Sequence, residues 1–148
     1  MKKYKLILYI VPIAVIAILF FVWNGVGKAT LVANQGGSKK IEDFILHIRV
    51  EEEDQKIKVY RSLQYIGEES IEIEHQTPLI SVSLGHKNHD FTGSKVKEDM
   101  TDGDSYYPQK AKTIKIPKKG RYTLYCIARF EINGREKTIE HTEELVFE

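Results

Sequence analysis

Gly120-Arg121-Tyr122-Thr123-Leu124-Tyr125-Cys126-Ile127-Ala128-Arg129-Phe130-Glu131-Ile132-Asn133-Gly134 is the stretch that decides the fold. Tyr122, Leu124, Cys126, Ala128, Phe130 and Ile132 share one parity, the pattern of a strand with one face on a core. Asn133-Gly134 closes it as a hairpin signal, since both residues tolerate the positive φ of a tight turn. A partner strand is expected over Lys137 to Glu148, ending Leu145-Val146-Phe147. The register stays open. A two-residue turn sets Glu131 against Glu136, and a three-residue loop with Gly134 left-handed sets Glu131 against Arg135 but Arg129 against Lys137.

The same period recurs upstream. Phe44, Leu46, Ile48 and Val50 alternate with Ile45, His47, Arg49 and Glu51. Ile57, Val59, Leu63 and Tyr65 mark a second strand, broken only by Arg61. Ile71 and Ile73 mark a third, Ile80, Val82 and Leu84 a fourth, and Ile114 and Ile116 another. No sustained helical period occurs beyond residue 30. About seven short strands with turn signals between them predict an all-β chain, an antiparallel β-sandwich. Gly85 to Lys110 reads as a long polar loop, with room for one extra strand near Phe91 to Val96.

The N-terminus reads differently. Leu6 to Trp23 carries no charge over 18 residues, and at about 1.5 Å per residue that spans roughly 27 Å, enough for a bilayer core. Lys2, Lys3 and Lys5 precede it, and Phe20, Phe21 and Trp23 close its far end. One N-terminal transmembrane helix is expected, a signal anchor. Residues 1–5 are then cytoplasmic, 6–23 span the membrane, 24–40 form a polar, glycine-bearing linker, and 41–148 form the extracytoplasmic domain. The alternative is a secreted domain, cleaved after Gly27-Lys28-Ala29.

The formal net charge is +1, from 22 basic and 21 acidic residues. Lys2, Lys3, Lys5 and Lys28 lie beside the apolar run and no acid precedes Glu42, so from residue 29 onward 18 bases face 21 acids. Nothing in that balance favours nucleic acid, and no nucleic-acid partner is expected. Cys126 is the single cysteine, which rules out an internal disulfide and reads as a buried apolar residue. The Lys-, Ile- and Glu-rich wording suggests a Gram-positive bacterial source.

The run from Gly120 to Phe130 resembles the penultimate strand of immunoglobulin-like and fibronectin-like domains, where a Gly-x-Tyr opening leads a long central strand. The resemblance implies a corner role for Tyr122 and a sandwich without the disulfide. Tyr65-Ile66-Gly67-Glu68-Glu69-Ser70-Ile71-Glu72-Ile73 is similar to strands of small extracytoplasmic bacterial domains, including those like the Bacillus intracellular proteinase inhibitor. Together these likenesses cover about residues 56–148. They imply an immunoglobulin-like fold and leave a protease-inhibitor-like role as an alternative, since fold alone transfers no function.

Motifs that carry chemistry are sparse. No Gly-x-Ser-x-Gly, His-Glu-x-x-His or phosphate-cradling loop occurs, so no enzyme and no cofactor are expected. His86, His89 and Asp90 are the one cluster with metal-ligand residue types; they carry the alternative of a metal-binding domain or small metal-dependent enzyme. Asp102 and Asp104 form an acidic turn beside Tyr106-Tyr107-Pro108. The expectation is that Tyr106, flanked by Asp102 and Asp104, is an exposed binding anchor while Tyr107 packs at the sandwich edge. The function expected is a non-enzymatic binding or accessory module at the cell surface. Its outer domain is monomeric, held to the membrane through residues 6–23, and meets a protein or a cell-envelope component.

Overall fold

The computed structural model describes residues 29–148, together with Val15, Ile16 and Leu19, which are helical. The rest of the anchor expected over Leu6–Trp23 lies outside the described residues. Among those described, no helix is long and apolar enough to cross a membrane.

From residue 29 onward the chain is all-β, with ten strands in two antiparallel sheets. In order they are β1 (Gln35–Ile41), β2 (Phe44–Glu53), β3 (Lys56–Tyr65), β4 (Ile71–Gln76), β5 (Ile80–Leu84), β6 (Lys95–Met100), β7 (Ser105–Tyr106), β8 (Lys112–Lys115), β9 (Gly120–Ile132) and β10 (Arg135–Phe147). One sheet runs β1-β2-β3, with β7 and β8 both beside β3. The other runs β10-β9-β4-β6, with β5 also on β9.

Period-two alternation produces the layers. The register of β2 on β3 opposes Phe44 to Tyr65, Leu46 to Leu63 and Val50 to Val59, and all six are buried. Leu124, Cys126, Ala128 and Phe130 of β9 face them from the other sheet and are also buried. Phe44 joins the layers, with ring centroids 4.8 Å from Phe130 and 5.2 Å from Tyr65. The Tyr65 hydroxyl donates to the Glu69 carbonyl at 2.7 Å and so closes the turn at Gly67. The corner role expected of Tyr122 falls to Tyr65. The Tyr122 ring instead stands edge-on to Phe147, 5.8 Å between centroids.

The Asn133-Gly134 turn takes its two-residue form. Both residues have positive φ, 50° and 72°, and the pairing sets Glu131 opposite Glu136. The backbone geometry of the turn outweighs the repulsion between two carboxylates on the solvent side of the ladder.

Three strands lie outside the expected seven. Residues 24–40 are not a linker throughout. Thr30 and Glu148 exchange backbone hydrogen bonds at 2.8 and 3.0 Å, Val32 bonds Val146 at 3.0 Å, and Ala29 is buried. β1 then pairs along β2. Its glycines and lysines hide the alternation because it is an edge strand, and Gly37 lies close to β10, where an added Cβ would displace the Glu143 carboxylate. β6 and β7 fall inside the expected 85–110 loop. β6 alternates charges, as edge strands do, with Lys95 and Lys97 paired to Glu74 and Glu72 of β4.

Candidate functional site

The two tyrosines of the 106–107 pair are placed opposite to expectation. β7 pairs Tyr106 with the buried Leu63, which turns the Tyr106 side chain inward. Its hydroxyl meets His75 Nε2 at 3.0 Å, and burial followed by the charge of Glu98 raises its pKa. Tyr107 is 70% exposed. Parity decides this, since successive side chains in a strand point to opposite faces. Asp104 closes the turn before β7: its carboxylate accepts from the Thr101 N–H at 2.7 Å and the Thr101 hydroxyl at 2.8 Å. Those two bonds hold its pKa below the usual carboxylate range. Asp102 is exposed in the same turn.

The histidine cluster does not converge. His89 turns toward β5, with Nδ1 3.1 Å from the Ser81 hydroxyl and Nε2 buried without a partner. Asp90 accepts from the Thr92 N–H at 3.0 Å, a local turn bond. His86 is exposed. Among the described residues no three His, Cys, Asp or Glu side chains are grouped to hold a metal ion. Burial, then the charges of Lys112 and Lys87, lower the pKa of His89.

Concavity lies elsewhere. A groove of about 740 Å³ crosses the outer face of the β1-β2-β3 sheet. Gly36 and Ser38 of β1 form one end, and His47 and Arg49 of β2 stand beside them. Tyr60, Ser62 and Gln64 of β3 come next, and Tyr107 with Ala111 closes the far side. His47 Nε2 lies 2.9 Å from Gln64 Oε1. The Arg49 guanidinium stacks 4.5 Å from the Tyr60 ring centroid and reaches Glu51 at 2.9 Å. No carboxylate lines the groove among the described residues.

The far wall has a gap in strand pairing. β7 meets β3 at Leu63 and Gln64, and β8 meets it from Lys56 to Val59. Residues 107–111 arch over the interval at Tyr60, Arg61 and Ser62. In an antiparallel ladder alternate residues aim their N–H and C=O at the same neighbour. Tyr65 bonds Asp104 and Gly103 across this edge, both at 2.9 Å, so Arg61 aims its main-chain N–H and C=O at the arch. The arch is anchored in the other sheet: in the orientation its neighbours require, the Gln109 amide oxygen accepts from the Leu79 N–H at 2.8 Å. Lys112 donates to the Val82 carbonyl at 2.8 Å.

Arg61 itself is an inward-facing charge. It pairs with Ile48 and lies between Val59 and Leu63 on the core side, with Nε and Nη1 buried and unpartnered. Burial lowers its pKa. Burial also pushes the Cys126 thiol up to about 12, with Glu143 adding to the rise and Arg61 opposing it. Glu143 is engaged by His141 at 2.6 Å.

Sequence reasoning passed over His47, Arg49, Tyr60 and Gln64, and assigned Tyr107 to packing at the sandwich edge. The available signal was the outward parity of β2 and β3, which around positions 47–49 and 60–64 carries imidazole, guanidinium, phenol, hydroxyl and amide. A solvated face would more commonly carry Glu and Lys.

No protein-family model matches the sequence, and no curated protein matches it. Among solved structures, the crystal structure of the GAE domain of GGA2p from Saccharomyces cerevisiae aligns with 78% of this chain and 96% of that chain. The identity is 11% and the TM-score 0.40.

Proposed function

We propose that this protein is a non-enzymatic binding module of a Gram-positive cell envelope, an immunoglobulin-like sandwich tethered outside the membrane by residues 6–23. The observation that carries the binding role is the groove on the outer face of the β1-β2-β3 sheet. It is concave, free of carboxylates among the described residues, and edged by an exposed tyrosine. Such a surface suits recognition by side chains held on a rigid sheet. The tether rests on the uncharged run and its flanking lysines. Retention rather than cleavage at Ala29–Thr30 is favoured by the burial of Ala29 against the core. Only residues 24–28 then separate anchor from domain, a reach of at most about 18 Å. The domain sits close to the bilayer instead of being raised on a long linker.

Two measurements test this. Protease added outside intact cells should digest the domain and spare the extreme N-terminus; protection of the domain would overturn the topology. The full chain, immobilised in detergent, should retain a component of a Gram-positive envelope extract. Loss of that capture in Tyr107→Ala with an unchanged melting temperature supports the groove as the site of binding. Failure to retain any envelope component would overturn the binding role.

A further inference from the structure

Resting on the binding-module reading, we infer that the groove takes an acidic, polyhydroxylated chain, a short stretch of uronic-acid glycan, lying across β1, β2 and β3 toward Tyr107. Shape comes first. Neighbouring strands are about 4.8 Å apart, so a path from β1 past β3 to the 107–111 arch covers roughly 14 Å. That is an extended ligand of a few rings, not a single small ion, and a groove of about 740 Å³ accommodates it.

Charge comes next. No carboxylate is in the lining among the described residues, and of its two arginines Arg61 has Nε and Nη1 buried on the core side, which leaves Arg49 as the exposed cation. Its guanidinium is steadied by the Tyr60 ring, and a guanidinium edge binds a carboxylate through two parallel N–H donors. Glu51 holds that edge in the free protein, but the Arg49 side chain is 61% exposed. A pair so exposed is weak and exchanges readily for a ligand carboxylate.

The mixture of donors and acceptors narrows the class further. Ser38, the His47–Gln64 pair and the main-chain N–H and C=O of Arg61 can each meet a hydroxyl group, which both donates and accepts. A bare polyphosphate would use only the donors and leave the acceptors unanswered. An apolar peptide would cover all of these groups without bonding them, at a cost for each. A peptide added as a strand would find only the short interval around Arg61 open on this edge, too little for an extended ladder. The exposed Tyr107 ring supplies a flat face with a polar tip, suited to packing on the C–H side of a sugar ring.

The test uses the full chain in detergent micelles, titrated with trigalacturonic acid, with neutral maltotriose, and with tripolyphosphate. Trigalacturonic acid should bind at least about tenfold tighter than either of the others. Arg49→Gln and Tyr107→Ala should each weaken it about tenfold or more. Arg121→Gln, on the opposite sheet, should change nothing. The assignment is overturned if tripolyphosphate binds as tightly, if both groove variants bind as the parent does, or if trigalacturonic acid fails to bind at about 10 mM. An envelope component retained equally by parent and groove variants would sink this assignment and leave the binding role standing. Retention of none would sink the binding role itself.

Discussion

The His75 imidazole and the Tyr106 hydroxyl meet between the sheets at 3.0 Å, with their rings tilted 58° and 5.6 Å apart. The other ring nitrogen of His75 lies 2.9 Å from the Gln76 carbonyl, so Nδ1 carries the proton, and Nε2 accepts from the tyrosine. The contact fixes the two-residue strand β7 to the far sheet. Tyr106→Ala removes a half-buried ring and should cost about 2–3 kcal/mol of stability. Tyr106→Phe keeps the ring and strands Nε2, costing about 1 kcal/mol. Thermal melts of the two variants check this; equal, negligible effects would mean that Tyr106 does not pack inward.

On the outer face of the second sheet, Glu74, Glu131 and Glu136 are opposed in turn across β4, β9 and β10. Like charges directly opposite repel. Glu136→Lys should convert the last contact into an attraction and raise stability by about 0.5 kcal/mol. The gain should shrink on going from about 0.05 to 0.5 M salt, as screening requires. A gain independent of salt would point to strand propensity instead of charge.

How far the strands could be read depended on which face they bury. β2 and β9 bury an apolar parity, written in Phe44 to Val50 and in Leu124 to Phe130, while Arg61 interrupts the inward parity of β3 and His141 with Glu143 that of β10. β1 and β6 are edges. Their Gly36-Gly37 and Lys95-Val96-Lys97 segments answer to close approach and to charge pairing, neither of which leaves a hydrophobic period. The groove was less legible still. Arg49 and Tyr60, eleven positions apart in the chain, become directly opposed neighbours only through the β2–β3 register. The Tyr106–Tyr107 pair did not reveal which ring was free, because that depended on the pairing of Leu63 with Tyr106.

His89 gives the fold a pH dependence of definite sign. Its folded pKa is depressed by burial and by Lys112 and Lys87. Below the ordinary histidine value, about 6.5, the unfolded chain therefore takes up a proton before the folded one does. This contribution to stability is present above about pH 6.5 and is lost as pH falls through the folded value. His89→Gln should flatten the melting temperature across that window, with Ser81 keeping a hydrogen-bonding neighbour. If parent and variant have the same slope there, the His89 side chain is not held as described.

Arg61 and Cys126 make opposite demands on one piece of core. The guanidinium sits inward with two buried nitrogens unpartnered, while Glu143 is held by His141 on the far edge. A buried charge without a hydrogen-bonded partner costs more than an apolar group of similar length. Arg61→Met should therefore be neutral, or stabilising by about 1 kcal/mol, whereas Arg61→Ala should destabilise by leaving a void. The thiol reports on the same region independently. With its pKa pushed up to about 12 and its side chain buried, Cys126 should resist iodoacetamide at pH 8 in the folded protein and react once denatured, because the thiolate is the reactive form. Cys126→Ser should be mildly destabilising through packing alone. In Arg61→Met the one neighbour that favoured the thiolate is gone, so protection from iodoacetamide should persist or deepen. A strongly destabilised Arg61→Met with a newly reactive thiol would show instead that the guanidinium supports the core, and that the unpartnered nitrogens are bonded in solution.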